Sequence, residues 1–441
     1  MDSNEAIIEF LGLQHVNIEK VYINKQNRIV EVTVRQDRTE CFCTRCGLQF
    51  EKVKSWEEKR LKAPPLGIYG EVEIIFYQLR GLCVECECSE TANCKFIHPE
   101  FLSMTCGYAE VAGRLMEEIT CEAVARILHT ESMTMWRLDQ WRMKYMEKRN
   151  KLPEKLDVSR LCADEVHFRT VDVKKRKGLF AKRRCPEFVT NLISPKEGKV
   201  ISNALGRDQE SLEECLLKLT DEQLDSVKEF SVDMHEPFLS VIRTECPNAK
   251  ISVDRFHLAQ KVNEAFDKVR RSEFRKAREK KDEFSKDMLE PHRRFILVAR
   301  EKDLSIAETK LLDKLRDTNK EIHTAMLLVE YFHKALDKGS VTSFRKALRA
   351  WYLVVRESKL KPFLELCKTI RRYRTEIETY IESGLTTGVA EGINNKIKVL
   401  KRMGYGYSNK KSFLRKILQR CGYLNHNYIN TNDLFYCVTP G

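Results

Sequence analysis

Hydrophobic positions change period along the chain. Near the start, the alternation Ile29-Val30-Glu31-Val32-Thr33-Val34 and the run Val72-Glu73-Ile74-Ile75-Phe76-Tyr77 predict strands. From residue 110 to 150 the apolar spacing turns helical. Residues 159–168, 187–194, 199–205, 227–236 and 249–254 read as strands, with a hairpin around 195–198 and helices over 209–219 and 237–246. The predicted order there is β-β-β-α-β-α-β. Residues 258–383 are almost wholly helical and rich in Lys, Arg and Glu, and residues 387–421 are helical and basic. There is no internal repeat and no low-complexity tract.

Within the first helical stretch, residues 117–129 form one short helix whose Ile119, Val124, Ile127 and Leu128 share a face. Thr120 and Ser132 are N-cap candidates. A second helix, 133–146, carries Trp136, Arg137, Gln140, Arg142 and Lys144. A helix pair with a polar, basic second member resembles a helix-turn-helix that reads DNA, and it fits an ordinary helical hairpin equally well.

Composition sharpens the picture. The 441 residues carry 78 Lys+Arg against 65 Asp+Glu, a formal charge of +13, which favours a polyanionic partner such as nucleic acid. The acidic start Met1-Asp2-Ser3-Asn4-Glu5 has no apolar segment behind it, so no signal peptide is expected. No apolar run is long enough to span a membrane. A cytoplasmic protein with reduced thiols is expected, its 16 cysteines free for metal rather than disulfides.

Six cysteines lie between Cys41 and Cys88, and two pairs have knuckle spacing: Cys43-Thr44-Arg45-Cys46 and Cys83-Val84-Glu85-Cys86. Four thiolates close a tetrahedral structural Zn2+ site, and C-x-x-C spacing lets one tight turn aim two sulfurs inward. Cys88 competes with Cys86 as fourth ligand, and Cys41, Cys94 and His98 are spare candidates.

Two of the predicted strands end in acids, at Asp164 and at Asp233. In the predicted order these are the first and fourth strands, which lie side by side in an RNase H-like sheet. Paired carboxylates hold hard divalent cations through oxygen. A third acid is expected from a later helix, and Glu391 is the candidate: between 391 and 421 there are nine Lys/Arg and no other acid. On a helix, Glu391 shares a face with Asn394, Asn395 and Lys398, groups able to touch phosphate. Asp254 and His257 form a D-x-x-H that competes with Asp233. Asp233 is preferred because the fourth strand neighbours the first and the fifth does not. His257 reads as a group behind the acids or near DNA, or as a structural histidine.

In these residues the chain resembles DDE insertion-sequence transposases of the family called ISL-three. The shared features run in the same order: the cysteine knuckles, the helix pair, Cys162-Ala163-Asp164-Glu165, Ser231-Val232-Asp233-Met234, the stretch from Pro247 to His257, and the closing box from Glu391 to Tyr407. The resemblance implies an α/β RNase H-like catalytic core with a large all-helical insertion, plus an N-terminal zinc-binding module and a helix-turn-helix. The implied division is 1–105 zinc module, 106–155 helix-turn-helix, 156–257 first part of the core, 258–383 helical insertion, and 384–441 end of the core with basic tail.

The family's activity implies cleavage and strand transfer at the element's terminal inverted repeats. Two Mg2+ ions, or Mn2+ in their place, would sit on Asp164, Asp233 and Glu391, with structural Zn2+ on the cysteines. Double-stranded DNA, both element ends and target, would meet Arg137, Gln140, Arg142, Lys144, Asn395, Lys398, Lys401, Arg402 and Tyr405. A homodimer would hold two ends together in a bacterial, nucleoid-associated setting. Two rival functions compete with this one: a zinc-dependent DNA-binding regulator with an inactive nuclease core, and a Mg2+-dependent nuclease without strand transfer.

Overall fold

Alternation along the early segments produces the first sheet. The computed structural model describes residues 3–149, 152–153, 155–173, 183–293, 296–297, 304–384 and 388–426. It divides into two units, Met1–Leu156 with Ile397–Gly441, and Asp157–Lys396.

In the first unit, helix α1 (Ser3–Leu11) precedes strands β1 (Val16–Asn24), β2 (Ile29–Gln36), β3 (Lys52–Ala63), β4 (Glu71–Cys83) and β5 (Cys88–Thr91). The sheet runs β1-β2-β4-β3, with β5 also on β4. Strand β2 is parallel to β4, and the other neighbours are antiparallel. Period-two side chains Val30, Val32, Val34, Val72, Ile74 and Phe76 fill one face with Leu11, Leu13 and Leu61. Strand β3 reads Lys-Val-Lys-Ser-Trp-Glu-Glu-Lys-Arg-Leu-Lys-Ala, too polar to signal itself.

Helices α2 (Cys106–Glu118), α3 (Cys121–Ile127) and α4 (Ser132–Arg149) follow. The helix expected over 117–129 is thus split: Glu117 and Glu118 end α2, and Ile119 is extended. Thr120 caps α3 by accepting from the Ala123 N–H at 3.2 Å. Met116, Val124, Leu128, Met135 and Leu138 form the shared core.

The second unit is built on β6 (Arg160–Val173), β7 (Arg183–Ser194), β8 (Lys199–Leu205), α5 (Gln209–Leu216), α6 (Asp221–Asp225), β9 (Glu229–Val232), α7 (Glu236–Glu245) and β10 (Lys250–Val253). This is the expected element order with one extra short helix. The sheet runs β10-β9-β6-β7-β8, and β7 alone opposes the others. Leu161, Val189, Leu192, Phe230 and Val232 are buried.

A helical region continues the unit: α8 (Arg255–Glu279), α9 (Glu283–Met288), α10 (Ile306–Thr318), α11 (Lys320–Leu336), α12 (Val341–Ser358), α13 (Lys361–Arg372) and α14 (Arg374–Ser383). Trp351 anchors it, buried against Phe332 and donating from Nε1 to the Leu328 carbonyl at 2.8 Å.

The basic tail is two helices rather than one. Helix α15 (Gly388–Met403) stops at a turn where Tyr405 and Gly406 take positive φ, 48° and 98°, which no helix continues through. Helix α16 (Lys410–Cys421) then starts on an Asn409 cap. It docks in the first unit by burying Phe413 and Ile417, and Lys416 Nζ donates to the Met116 carbonyl and to Asp139 at 2.8 and 2.9 Å. Residues 1–105 and 106–155, read from sequence as separate domains, therefore share one unit with the chain's last segment. Among the described residues no helix is long and apolar enough to cross a membrane.

Candidate functional site

Parallel pairing sets the acids side by side. The β6–β9 ladder runs Arg160↔Glu229 to Ala163↔Val232, so Asp164 and Asp233 are the next residue on each strand. The β9–β10 ladder ends at Val253↔Val232, which sets Asp254 level with Asp233. Strand β6 does not end at its acid, as the sequence suggested. It continues to Val173 along β7, and only its parallel partner stops. Neighbouring strands lie about 4.8 Å apart, so Asp164, Asp233 and Asp254 stand at one sheet level on successive strands.

Each carboxylate has its own partners. Asp164 Oδ1 accepts from the Glu165 N–H at 2.8 Å, and Oδ2 accepts from Asn394 Nδ2 at 2.6 Å. Burial pushes the Asp164 carboxyl up to about 6, reinforced by the nearby Glu165 and Asp233 and opposed by the Glu165 N–H and by His257. Asp233 Oδ1 accepts from the Met234 N–H at 2.5 Å, and its Oδ2 lies 3.3 Å from His257 Nδ1. The other nitrogen of His257 is 4.0 Å from Asp254 Oδ2. Asp254 is buried and caps α8, accepting from the Phe256 N–H at 3.0 Å.

Glu391 sits on α15 one turn before Asn394. That helix buries Ala390, Ile393, Asn394, Ile397 and Leu400 and leaves Glu391, Asn395, Lys398 and Arg402 exposed. Among the described residues, Asp164, Asp233 and Glu391 do not form a trio of ligand atoms within 4.8 Å; the groups at that distance are built on Cys43. Asn394 is the unexpected member. Its sequence reading was a phosphate-facing neighbour of Glu391, and it is instead buried against Asp164. Its spacing from Ala390 and Ile397 marks it as part of the inward stripe.

The cysteine cluster gathers Cys43, Cys46, Cys83 and Cys86, all four sulfurs within 4.8 Å of one another. The Cys46–Cys83 and Cys43–Cys86 sulfurs are 3.4 and 4.0 Å apart. Tetrahedral zinc with Zn–S of about 2.3 Å places its sulfurs about 3.8 Å apart, so this donor set fits the ion. Gly47, at φ +75°, closes the first knuckle, and the second is the turn that links β4 to β5. Backbone N–H groups of Cys46 and Arg45 hold the Cys43 thiol down to about 7, while the Cys46 sulfur pushes the Cys86 thiol up. Cys88 lies outside the four, beside Cys43 and Glu90.

Of the residues expected to meet DNA, Arg137 and Lys144 are exposed on α4, and Gln140 donates to Ser412 Oγ at 2.8 Å. Tyr405 is 97% exposed, and Lys401 is half-buried. Arg142 is a correction. It is 2% exposed, ion-paired with Glu117 and, at 3.4 Å, with Glu110, and so faces the helical core rather than solvent. Exposed Trp136, with Gln140, Met403, Tyr405 and Tyr407, lines a groove of about 270 Å³ between α4 and the α15–α16 turn.

A transposase profile of the ISL3-type DDE family matches residues 179–417. Along 408 residues, covering 92% of this chain and 95% of the relative, the sequence is 22% identical to the transposase for insertion sequence element IS1001 of Bordetella parapertussis. It is 24% identical over 251 residues to the transposase for element IS1557 of Mycobacterium tuberculosis, covering 53% of this chain and 56% of that one. That profile covers more than half of the sequence: the chain is a member of the ISL3 family of insertion-sequence transposases.

Proposed function

We propose that this transposase binds the terminal inverted repeats of its own element and cuts and joins DNA with divalent cations held by Asp164, Asp233 and Glu391. The observation that carries the reading is the adjacency of Asp164 and Asp233 at the end of the β6–β9 ladder. The strand order β10-β9-β6-β7-β8, with a single antiparallel member, supports an RNase H-like core. Asp233 suits the second position better than Asp254, which is buried and occupied in capping α8.

Mg2+ or Mn2+ bound there would activate a water or a 3′-hydroxyl and stabilise the leaving oxygen. The protein's own groups prepare the site. The Glu165 N–H and Asn394 fix Asp164, one lone pair on each oxygen, which leaves the others for ligation. His257 stands between Asp233 and Asp254, where it orients the Asp233 carboxylate. Glu391, exposed on α15 one turn from Asn394 and beside a run of cations, would supply the third carboxylate.

Cys43, Cys46, Cys83 and Cys86 would hold structural Zn2+, a closed set with no vacant position for chemistry. Helices α3 and α4 act as a helix-turn-helix, with Arg137, Gln140 and Lys144 on the element ends. Asn395, Lys398, Lys401, Arg402 and Tyr405 contact DNA through phosphate and stacking. Two copies of the chain hold two element ends in a homodimeric complex.

The test uses element-end DNA with Mg2+. Asp233→Asn should lose cleavage and keep end binding, and EDTA should stop the wild type. A variant that still cuts refutes the assignment. Nicking without a product joined to target plasmid would replace strand transfer by plain hydrolysis.

A further inference from the structure

Helix α15 carries a polar side chain in its apolar stripe. Ala390, Ile393, Ile397 and Leu400 are buried on one side, and Asn394 lies among them, 5% exposed. Its Oδ1 is buried without a partner, so the amide is not there for packing, where an apolar residue would serve better. Its Nδ2 donates to Asp164 Oδ2 at 2.6 Å. A second buried amide stands opposite on the neighbouring strand. Asn191 is the cross-strand partner of Asp164 on β7, fully buried, with neither amide atom paired. Residues opposite each other on antiparallel strands share a face of the sheet. Asp164 thus takes a hydrogen bond from one neutral amide and faces a second across the strand pair, groups that add no charge beside Asp233.

We propose that Asn394 is a positioning residue: it clamps Asp164 in its ligating orientation and pins α15 to the sheet, which sets where Glu391, one turn earlier, is presented. The inference rests on the reading of Asp164 as a cation ligand. Aspartate at 394 would repel Asp164, and a shorter side chain would not reach it. Only a neutral donor of this length both satisfies Oδ2 and leaves the oxygen's remaining lone pair for a cation.

The experiment measures Mn2+ binding to the full chain, purified with zinc, by the electron paramagnetic resonance signal of free Mn2+. Wild type, Asn394→Leu, Asn394→Ser and Asp164→Asn are compared, with thermal melts in EDTA alongside. Asn394→Leu should bind Mn2+ roughly 10–100-fold more weakly. Its melting temperature should hold or rise, because the unpaired Oδ1 is gone. Asn394→Ser reads the same loss should the leucine variant not fold. If the Asn394 variants bind Mn2+ as tightly as the wild type while Asp164→Asn does not, the clamp is refuted and the cation site stands. If Asp164→Asn itself binds as the wild type does, the cation site falls, and the clamp with it.

Discussion

Arg142 separates a structural cation from a DNA-reading one. Its guanidinium lies inside the α2–α4 packing, ion-paired with Glu117 and Glu110, whose side chains are 3% and 8% exposed. Arg142→Met keeps the volume and removes the charge, leaving two buried carboxylates short of a partner. Breaking a buried pair from one side costs about 3–5 kcal/mol. Arg114 Nε, 2.8 Å from Glu110, and His426, bonded to Glu117, hold the cost near the lower end. For a unit of roughly 200 residues, at about 2–4 °C per kcal/mol, the melting transition should fall by about 6–15 °C. The assay is calorimetry of the full chain, with Arg137→Ala as comparison. Arg137 is exposed, so its loss should weaken DNA binding and its salt dependence while leaving the melt unchanged. The double variant Arg142→Met/Glu117→Gln should recover a large part of the lost stability, because the uncompensated charge is gone. An Arg142→Met protein that melts like the wild type and only binds DNA more weakly would refute this placement.

Three further outcomes are expected. Cys83→Ser should lose bound zinc and unfold the knuckle end of the first sheet, while Cys88→Ser should retain one zinc per chain, as measured by metal release to a chromogenic chelator. In the metal-free protein, the Asp164 carboxyl at about 6 lies above its unfolded value of about 3.8, so the native state holds the proton more tightly and stability falls as pH rises between the two. Melts of the wild type and Asp164→Asn in EDTA should diverge across that window by up to about 3 kcal/mol, the asparagine variant being the more stable at neutral pH, and a constant difference would contradict the burial. Gly81→Ala should destabilise the first unit by about 1–3 kcal/mol in chemical denaturation, because a Cβ there would overlap the Phe50 ring.

Local patterns were legible where the chemistry is local. The two C-x-x-C pairs, the Thr120 cap and the strand preceding Asp233 depend on residues a few positions apart, and all are found in the structure. The extent of β6 was not, because its continuation past Asp164 is fixed by pairing with β7. Arg142 was misread because basic residues on a second helix suggest DNA. Yet Met135, Leu138, Asp139, Met143 and Met146 are buried around it at helical spacing, and that stripe already pointed inward. Its acidic partners on α2 lie 25 and 32 residues away, beyond any periodicity. The docking of α16 onto α2 and α4 rests on contacts nearly 300 residues apart, such as Lys416 with Asp139 at a separation of 277, and no local signal carries them.

That distant contact gives the protein a timetable. While a ribosome is still making the middle of the chain, α2 to α4 are already outside the exit tunnel, with Asp139 awaiting Lys416 and Glu117 awaiting His426. The helix pair proposed to recognise element ends matures only after residues 410–426 have emerged. Products that stop before that point would therefore be poor competitors for those ends, and the capacity to grip DNA would reside in molecules that also carry the three acids proposed to cut it.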